Sequence, residues 1–140
     1  MAMKHVVLTE SMKVGHEQID GGHAQIIGIV NRCVDMIVAR TTAAAFHESL
    51  LGLKAALVHH IDEEEVIMRD LGYPDMQGEV KEHFDGLMRL DQLLDTCRDG
   101  VDLEALLGEV ASLLLLIFIR SDMSFKSYLQ SIGYRDEAPV

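Results

Sequence analysis

The chain is 140 residues long, the usual size of one domain and enough to bury a proper core. Hydrophobic residues make up 49% of it and aromatic residues only 5%, with no tryptophan and two prolines, a mix that suits long helices rather than a sandwich or barrel. The formal net charge of −11 argues against a nucleic-acid or anionic-membrane partner, since both need a basic surface.

Residues 1 to about 17 read as an N-terminal arm, and Met1 to Lys13 lacks the continuous apolar core of a signal peptide. Ile19, His23, Ile26, Val30, Cys33 and Ile37 then recur at steps of three and four, one face of a first helix. A second stripe runs Phe46, Leu50, Leu53, Leu57, His60, Glu64, Ile67 and Leu71, with Thr41 and Thr42 as candidate caps. Gly72-Tyr73-Pro74-Asp75 ends that helix and starts a third, whose stripe is Met76, Glu79, His83, Leu87, Leu90 and Leu94. After Asp99-Gly100-Val101, Asp102 is placed to cap a fourth helix on Leu103, Leu107, Val110, Leu114, Phe118, Asp122, Phe125 and Leu129. Short connections favour antiparallel neighbours, so the fold expected is all-α, an up-down-up-down antiparallel four-helix bundle over about 18–131 with a short tail at 132–140. The whole chain reads as one domain. Its longest uncharged run, Val110 to Ile119, is too short to span a bilayer. Cys33 and Cys97 form no C-x-x-C pair, and a cytoplasmic chain with reduced, packed thiols is expected.

The stripes are informative because of what interrupts them. His23, His60, Glu64, Glu79, His83 and Asp122 all fall on otherwise apolar faces. Buried carboxylates are paired, neutralised or bound to metal. If the helices alternate in direction, all six lie at one end of the bundle, about 6 to 15 Å from it at 1.5 Å per residue. Three imidazoles and three carboxylates form a mixed nitrogen and oxygen set that suits iron or manganese, with zinc as a further option. Carboxylates can bridge two ions, and six donors are more than one ion usually needs, so two ions are expected. His59 and Glu63 share the i,i+4 spacing of His60 and Glu64, but Leu50, Leu53 and Leu57 point inward at 60 and 64. Positions 59 and 63 are turned about 100° away and belong near the surface.

Across roughly residues 12 to 132 the sequence resembles the bacterial hemerythrins and the hemerythrin-like (HHE-type) cation-binding proteins. The segments that carry the likeness are Val14-Gly15-His16, Asp20-Gly21-Gly22-His23, His60-Ile61-Asp62-Glu63-Glu64-Glu65, Met68, Gly72-Tyr73-Pro74, Lys81-Glu82-His83, and Asp122 with Tyr128-Leu129. The resemblance implies a non-haem di-iron centre: two iron ions per chain joined by an oxo or hydroxo bridge, with Glu64 and Asp122 as the bridging carboxylates. His23 and His60 match the ligands of the two-histidine iron, which in the family leaves a position open for dioxygen. The three-histidine iron keeps His83, but Glu79 stands in place of one histidine, and the fourth-helix histidine falls at Ile117. One donor is therefore changed and one is lost, and the carboxylate-richer iron is expected to favour the ferric state and to have a vacancy.

These readings lead to an oxygen-binding protein acting as carrier, store or sensor, with dioxygen or a related small ligand as partner. The alternative is an enzyme, a di-iron oxidase, peroxidase or nitric-oxide-handling catalyst that uses the opening left by Ile117. A bundle with a degenerate or mononuclear site is a further alternative. A monomer or weak oligomer is expected. Asp20 is read as a helix cap or as an acceptor for His23, Tyr128 as core packing, His16 as a non-ligand, and His5 and His47 as surface residues.

Overall fold

A computed structural model describes residues 4–136, so the two ends of the expected arm and tail lie outside it. The elements are a 3-10 turn, Glu10–Met12, and four helices: α1 (Glu17–Val38), α2 (Ala43–Asp70), α3 (Met76–Asp95) and α4 (Leu103–Ser131). Among the described residues there is no strand. Each helix packs against the next in sequence and α4 packs back on α1, while α2 and α4 touch only slightly. This is the neighbour pattern of helices arranged around a shared core.

Local chemistry accounts for the helix ends. Thr42 Oγ1 accepts the Ala45 N–H at 3.1 Å at the start of α2. Asp102 Oδ1 accepts the Ala105 N–H, also at 3.1 Å, at the start of α4; each satisfies an amide that the helix cannot. α2 stops at Gly72, whose φ of 74° is open to glycine. There the Gly72 N–H reaches the Arg69 carbonyl and the Tyr73 N–H reaches the Met68 carbonyl, the Schellman pattern. Tyr73 is buried just beyond this turn, and its ring packs edge-on against Phe125, so the turn also fixes the approach of α3.

Every member of the α4 stripe from Leu107 to Leu129 is buried, and the other stripes are buried or half-buried throughout. The apolar interior falls into two clusters. The larger includes Ile26 and Val30 of α1, Leu57 and Ile61 of α2, Leu90 of α3 and Phe118 of α4. The smaller is built from Ile19 near the start of α1, Met68 near the end of α2, Tyr73 just before α3, and Phe125 and Leu129 near the end of α4. Between them, in all four helices, lie the polar positions: His23 between Ile19 and Ile26, Glu64 between Ile61 and Met68, Glu79 and His83 between Tyr73 and Leu90, and Asp122 between Phe118 and Phe125.

The segment before α1 is tied to the bundle. The Val6 N–H donates to Asn31 Oδ1 at 2.7 Å, and Asn31 Nδ2 returns a bond to the Val6 carbonyl at 2.9 Å. His5 Nε2 lies 2.7 Å from Asp35. Cys33 is buried, Cys97 is half-buried, and both are free thiols. Among the described residues, no helix is long and apolar enough to cross a membrane.

Candidate metal centre

The polar layer is both buried and convergent. His23, His60, Glu64, Glu79, His83 and Asp122 are each no more than 6% exposed, and they come from all four helices. His23 Nε2 lies 2.6 Å from Asp122 Oδ2 and 3.7 Å from Glu64 Oε2. His60 Nε2 lies 2.9 Å from the same Glu64 oxygen. On the other side, His83 Nε2 lies 3.5 Å from Glu64 Oε1 and 3.6 Å from Glu79 Oε2.

The donor atoms form two overlapping groups that can each hold a metal ion, with atoms within 4.8 Å of one another. One is His23, His60, Glu64 and Asp122; the other is Glu64, Glu79, His83 and Asp122. The shared members are both carboxylates, the side chains able to serve two ions at once. His59 and Glu63 stand outside both groups: His59 is exposed, and its Nε2 meets Glu63 Oε1 at 2.5 Å on the surface. Burial thus separates the two His–Glu pairs along α2 as the apolar stripe requires.

Proximity is not matched by hydrogen bonding. Both nitrogens of His23, Nε2 of His60, Oε1 of Glu64, Oε2 of Glu79 and both oxygens of Asp122 are buried without a hydrogen-bond partner. A buried polar group left without a partner is costly, so such groups are paired, neutralised or bound to a cation. Nitrogen and oxygen donors buried this close together are what a cation would satisfy. The residues therefore fit a metal centre.

The surroundings hold several of these groups in place. His83 Nδ1 pairs with Glu65 Oε2 at 2.8 Å, which orients the ring and turns Nε2 inward. Glu65 is a supporting residue that the helical stripe could not reveal, because it lies next to Glu64 on the flank of α2 and is half-buried. Phe118 stacks on His23 with ring centroids 4.1 Å apart, and His23 meets His60 edge-on at 4.6 Å. A Cβ added at Gly22 would sit 2.1 Å from His60 Nδ1, so this glycine is needed for α1 to approach the His60 ring. Ile117 is buried and fills the space beside Gly86, where a Cβ would lie 2.7 Å from Ile117 Cδ1.

Three further residues can be placed. Asp20 neither caps α1 nor meets His23: its carboxylate accepts the Val14 N–H at 2.8 Å and the Gly15 N–H at 3.1 Å, securing the turn into the helix. His16 occupies the N-cap position and stacks on Tyr134, apart from both donor groups. Tyr128 donates to the Leu71 carbonyl at 2.7 Å and belongs to the smaller apolar cluster, a packing role.

Electrostatics within the layer divide the carboxylates. Burial pushes Glu64 upward, but the imidazoles of His23, His60 and His83 outweigh it and hold Glu64 well below the usual range. Asp122 moves well above its usual range, through burial and the charge of Glu64. Burial also lifts Glu79 to about 7, against the pull of His83. His83 rises to about 9 because Glu64 and Glu65 outweigh its burial. With no cation, protons on Asp122, Glu79 and His83 relieve the crowding of negative charge; a bound cation would take over that task.

Comparison with protein-family models, with curated proteins and with solved structures finds no match to this chain.

Proposed function

We propose that this chain is a hemerythrin-like protein whose centre holds two iron ions and binds dioxygen or a related small ligand. The observation that carries the reading is the pair of four-residue donor groups sharing Glu64 and Asp122. Two sites with two common carboxylates are the arrangement a bridged pair of ions requires. The up-down-up-down course fits as well: the smaller apolar cluster draws on the start of α1, the end of α2, the approach to α3 and the end of α4. That order puts all six donors in one layer.

In this reading His23 and His60 would hold one ion, His83 and Glu79 the other, and Glu64 and Asp122 would be shared between them. When bound, the iron pair would supply redox chemistry and affinity for a small ligand. The chain supplies the rest. Glu65 pairs with His83 Nδ1 and so turns its Nε2 toward the centre. Phe118 presses the His23 ring into position and shields it from water. Glu79 Oε2 has no hydrogen-bond partner, as expected of a ligand and not of a neutral acid satisfied by a neighbour. Ile117 presents hydrocarbon where a further donor would stand in the family.

The enzymatic reading draws on a different observation. The groove between α3 and α4, about 240 Å³, has Ile117 in its lining beside Gly86 and Arg120, so an opening adjoins the residue that stands where the family has a further donor. Elemental analysis of protein purified without added metal, paired with absorption spectra before and after air, tests the main proposal. About two irons per chain with near-ultraviolet bands that respond to oxygen support it; reversal on removing oxygen, without loss of reductant, favours a carrier over an enzyme. One metal or none with a silent spectrum refutes it.

A further inference from the structure

We infer that the groove between α1 and α2 is the route by which divalent cations reach the centre, with His59 and Glu63 on its rim as a transient capture pair. This rests on the metal-binding reading above and concerns how the site is filled.

The groove has a volume of about 260 Å³, and its lining includes Gln18, Gly21, Gly22, His59, His60 and Glu63. His60 thus belongs to both the groove and the buried centre, and at 6% it is the most exposed of the three buried histidines. Its Nε2 has no hydrogen-bond partner and lies 2.9 Å from Glu64 Oε2. The groove between α3 and α4, by contrast, is lined by Ile117 and by none of the six donors.

The rim repeats the chemistry of the interior. His59 and Glu63 have the i,i+4 spacing of His60 and Glu64, one residue earlier and therefore turned about 100° outward. Their side chains are 75% and 35% exposed, with Nε2 and Oε1 2.5 Å apart. Gln18 Nε2 donates to the other Glu63 oxygen at 2.7 Å and steadies the carboxylate without occupying the oxygen that faces His59. One nitrogen and one oxygen hold a hydrated divalent cation weakly enough to release it. An adjoining hollow shared by His59 and Glu63 also carries Asp62 and Asp70, and a cleft of one charge sign concentrates counter-ions at its mouth.

Two glycines shape the groove. At Gly21 a Cβ would meet nothing within 4 Å, so the mouth is open there. At Gly22 the space a side chain would take is filled by the His60 imidazole. A cation leaving the rim exchanges His59 and Glu63 for His60 and then Glu64, shedding water as it goes, with no change in oxidation state.

The test is stopped-flow uptake of Co2+ by the metal-free full chain, followed by removal with a chelator. A His59→Ala/Glu63→Gln double variant should load about tenfold or more slowly yet reach the wild-type cobalt content. Gly21→Leu, which adds a side chain into open space on a helix, should slow both uptake and removal. Wild-type rates in both variants overturn the route while leaving the metal centre intact. A lower final cobalt content in the double variant also overturns it, because the rim pair would then be resident ligands. If the wild-type chain takes up no cobalt, the metal-binding reading falls and the route falls with it.

Discussion

Gly22→Ala offers a quantitative test of the geometry around His60. The added Cβ would lie 2.1 Å from His60 Nδ1 and 2.8 Å from its Cε1, whereas ordinary contact begins at 3.4 Å. The ring must therefore withdraw by about 1.3 Å (3.4 less 2.1) or α1 must move away. A metal–imidazole bond is only about 2.1 Å long, so this displacement takes Nε2 out of coordination range. The expected result is a loss of metal affinity of about 10- to 100-fold, about 1.4–2.8 kcal/mol. Alanine in a helix interior gains about 0.5–1 kcal/mol over glycine, which partly offsets the clash in the metal-free protein. The signature is thus a large fall in affinity with a small change in metal-free melting temperature. Gly28→Ala on the same helix, where a Cβ meets nothing within 4 Å, should raise the melting temperature and leave affinity unchanged. Metal titration by calorimetry, with thermal melts of both metal-free variants, measures each quantity. Wild-type affinity in Gly22→Ala would refute the placement of His60 as a ligand held against α1.

Glu65→Gln should weaken metal binding about 10-fold or more by loosening His83, while Glu63→Gln should leave equilibrium affinity unchanged; both are read by the same titration. The Glu79→His/Ile117→His double variant should shift the absorption spectrum and the reactivity toward small ligands, and an unchanged spectrum would remove these two positions from the account of the centre. In metal-free protein, His83 at about 9 and Glu79 at about 7 bind protons more tightly than in the unfolded chain, whose values are near 6.5 and 4.5. Their stabilisation is complete below those unfolded values and is lost as pH rises through about 7 and then about 9, so melting temperature should fall over that window. Glu64, held well below its usual range, contributes with the opposite sign, and its share is lost only in acid. Asp102→Ala removes the cap on Ala105 and should cost about 0.5–2 kcal/mol in denaturant melts without altering metal content.

The sequence carried the helices and the polar layer because both follow from one periodicity. A residue such as Asp122, four positions after Phe118 and three before Phe125, must face the core if they do, and all three are buried. The choice of His60 over His59 needed only the phase of Leu50, Leu53 and Leu57. Glu65 was not legible, because its role depends on the distance between the flank of α2 and the Nδ1 side of His83, which no single-helix pattern contains. Asp20 was misread for a related reason. Its position invites a cap or an imidazole partner, but the chain before α1 folds back so that the amides of Val14 and Gly15 reach its carboxylate first. The closeness of Gly22 to His60 likewise depends on how α1 and α2 cross.

The two sides of the centre differ in a way that joins positions 79 and 117. On the His23 side the donors are two imidazoles, one stacked on Phe118 and the other opening to the groove between α1 and α2. On the His83 side, Ile117 packs into the space that Gly86 leaves, so the side chain at 117 and the bare backbone at 86 are complementary shapes. Hydrocarbon there supplies no lone pair, and in the proposed centre the unpartnered oxygen of Glu79 would be the compensating donor on the adjacent helix. The exchange is not neutral. Glu64, Glu79 and Asp122 together carry up to three negative charges in a layer no more than 3% exposed at those positions, against two if residue 79 were an imidazole. In so dry a layer each additional negative charge interacts strongly with a nearby cation. A cation held beside Glu79 would be stabilised most in its more highly charged state, whereas one held beside His60 would adjoin the groove between α1 and α2.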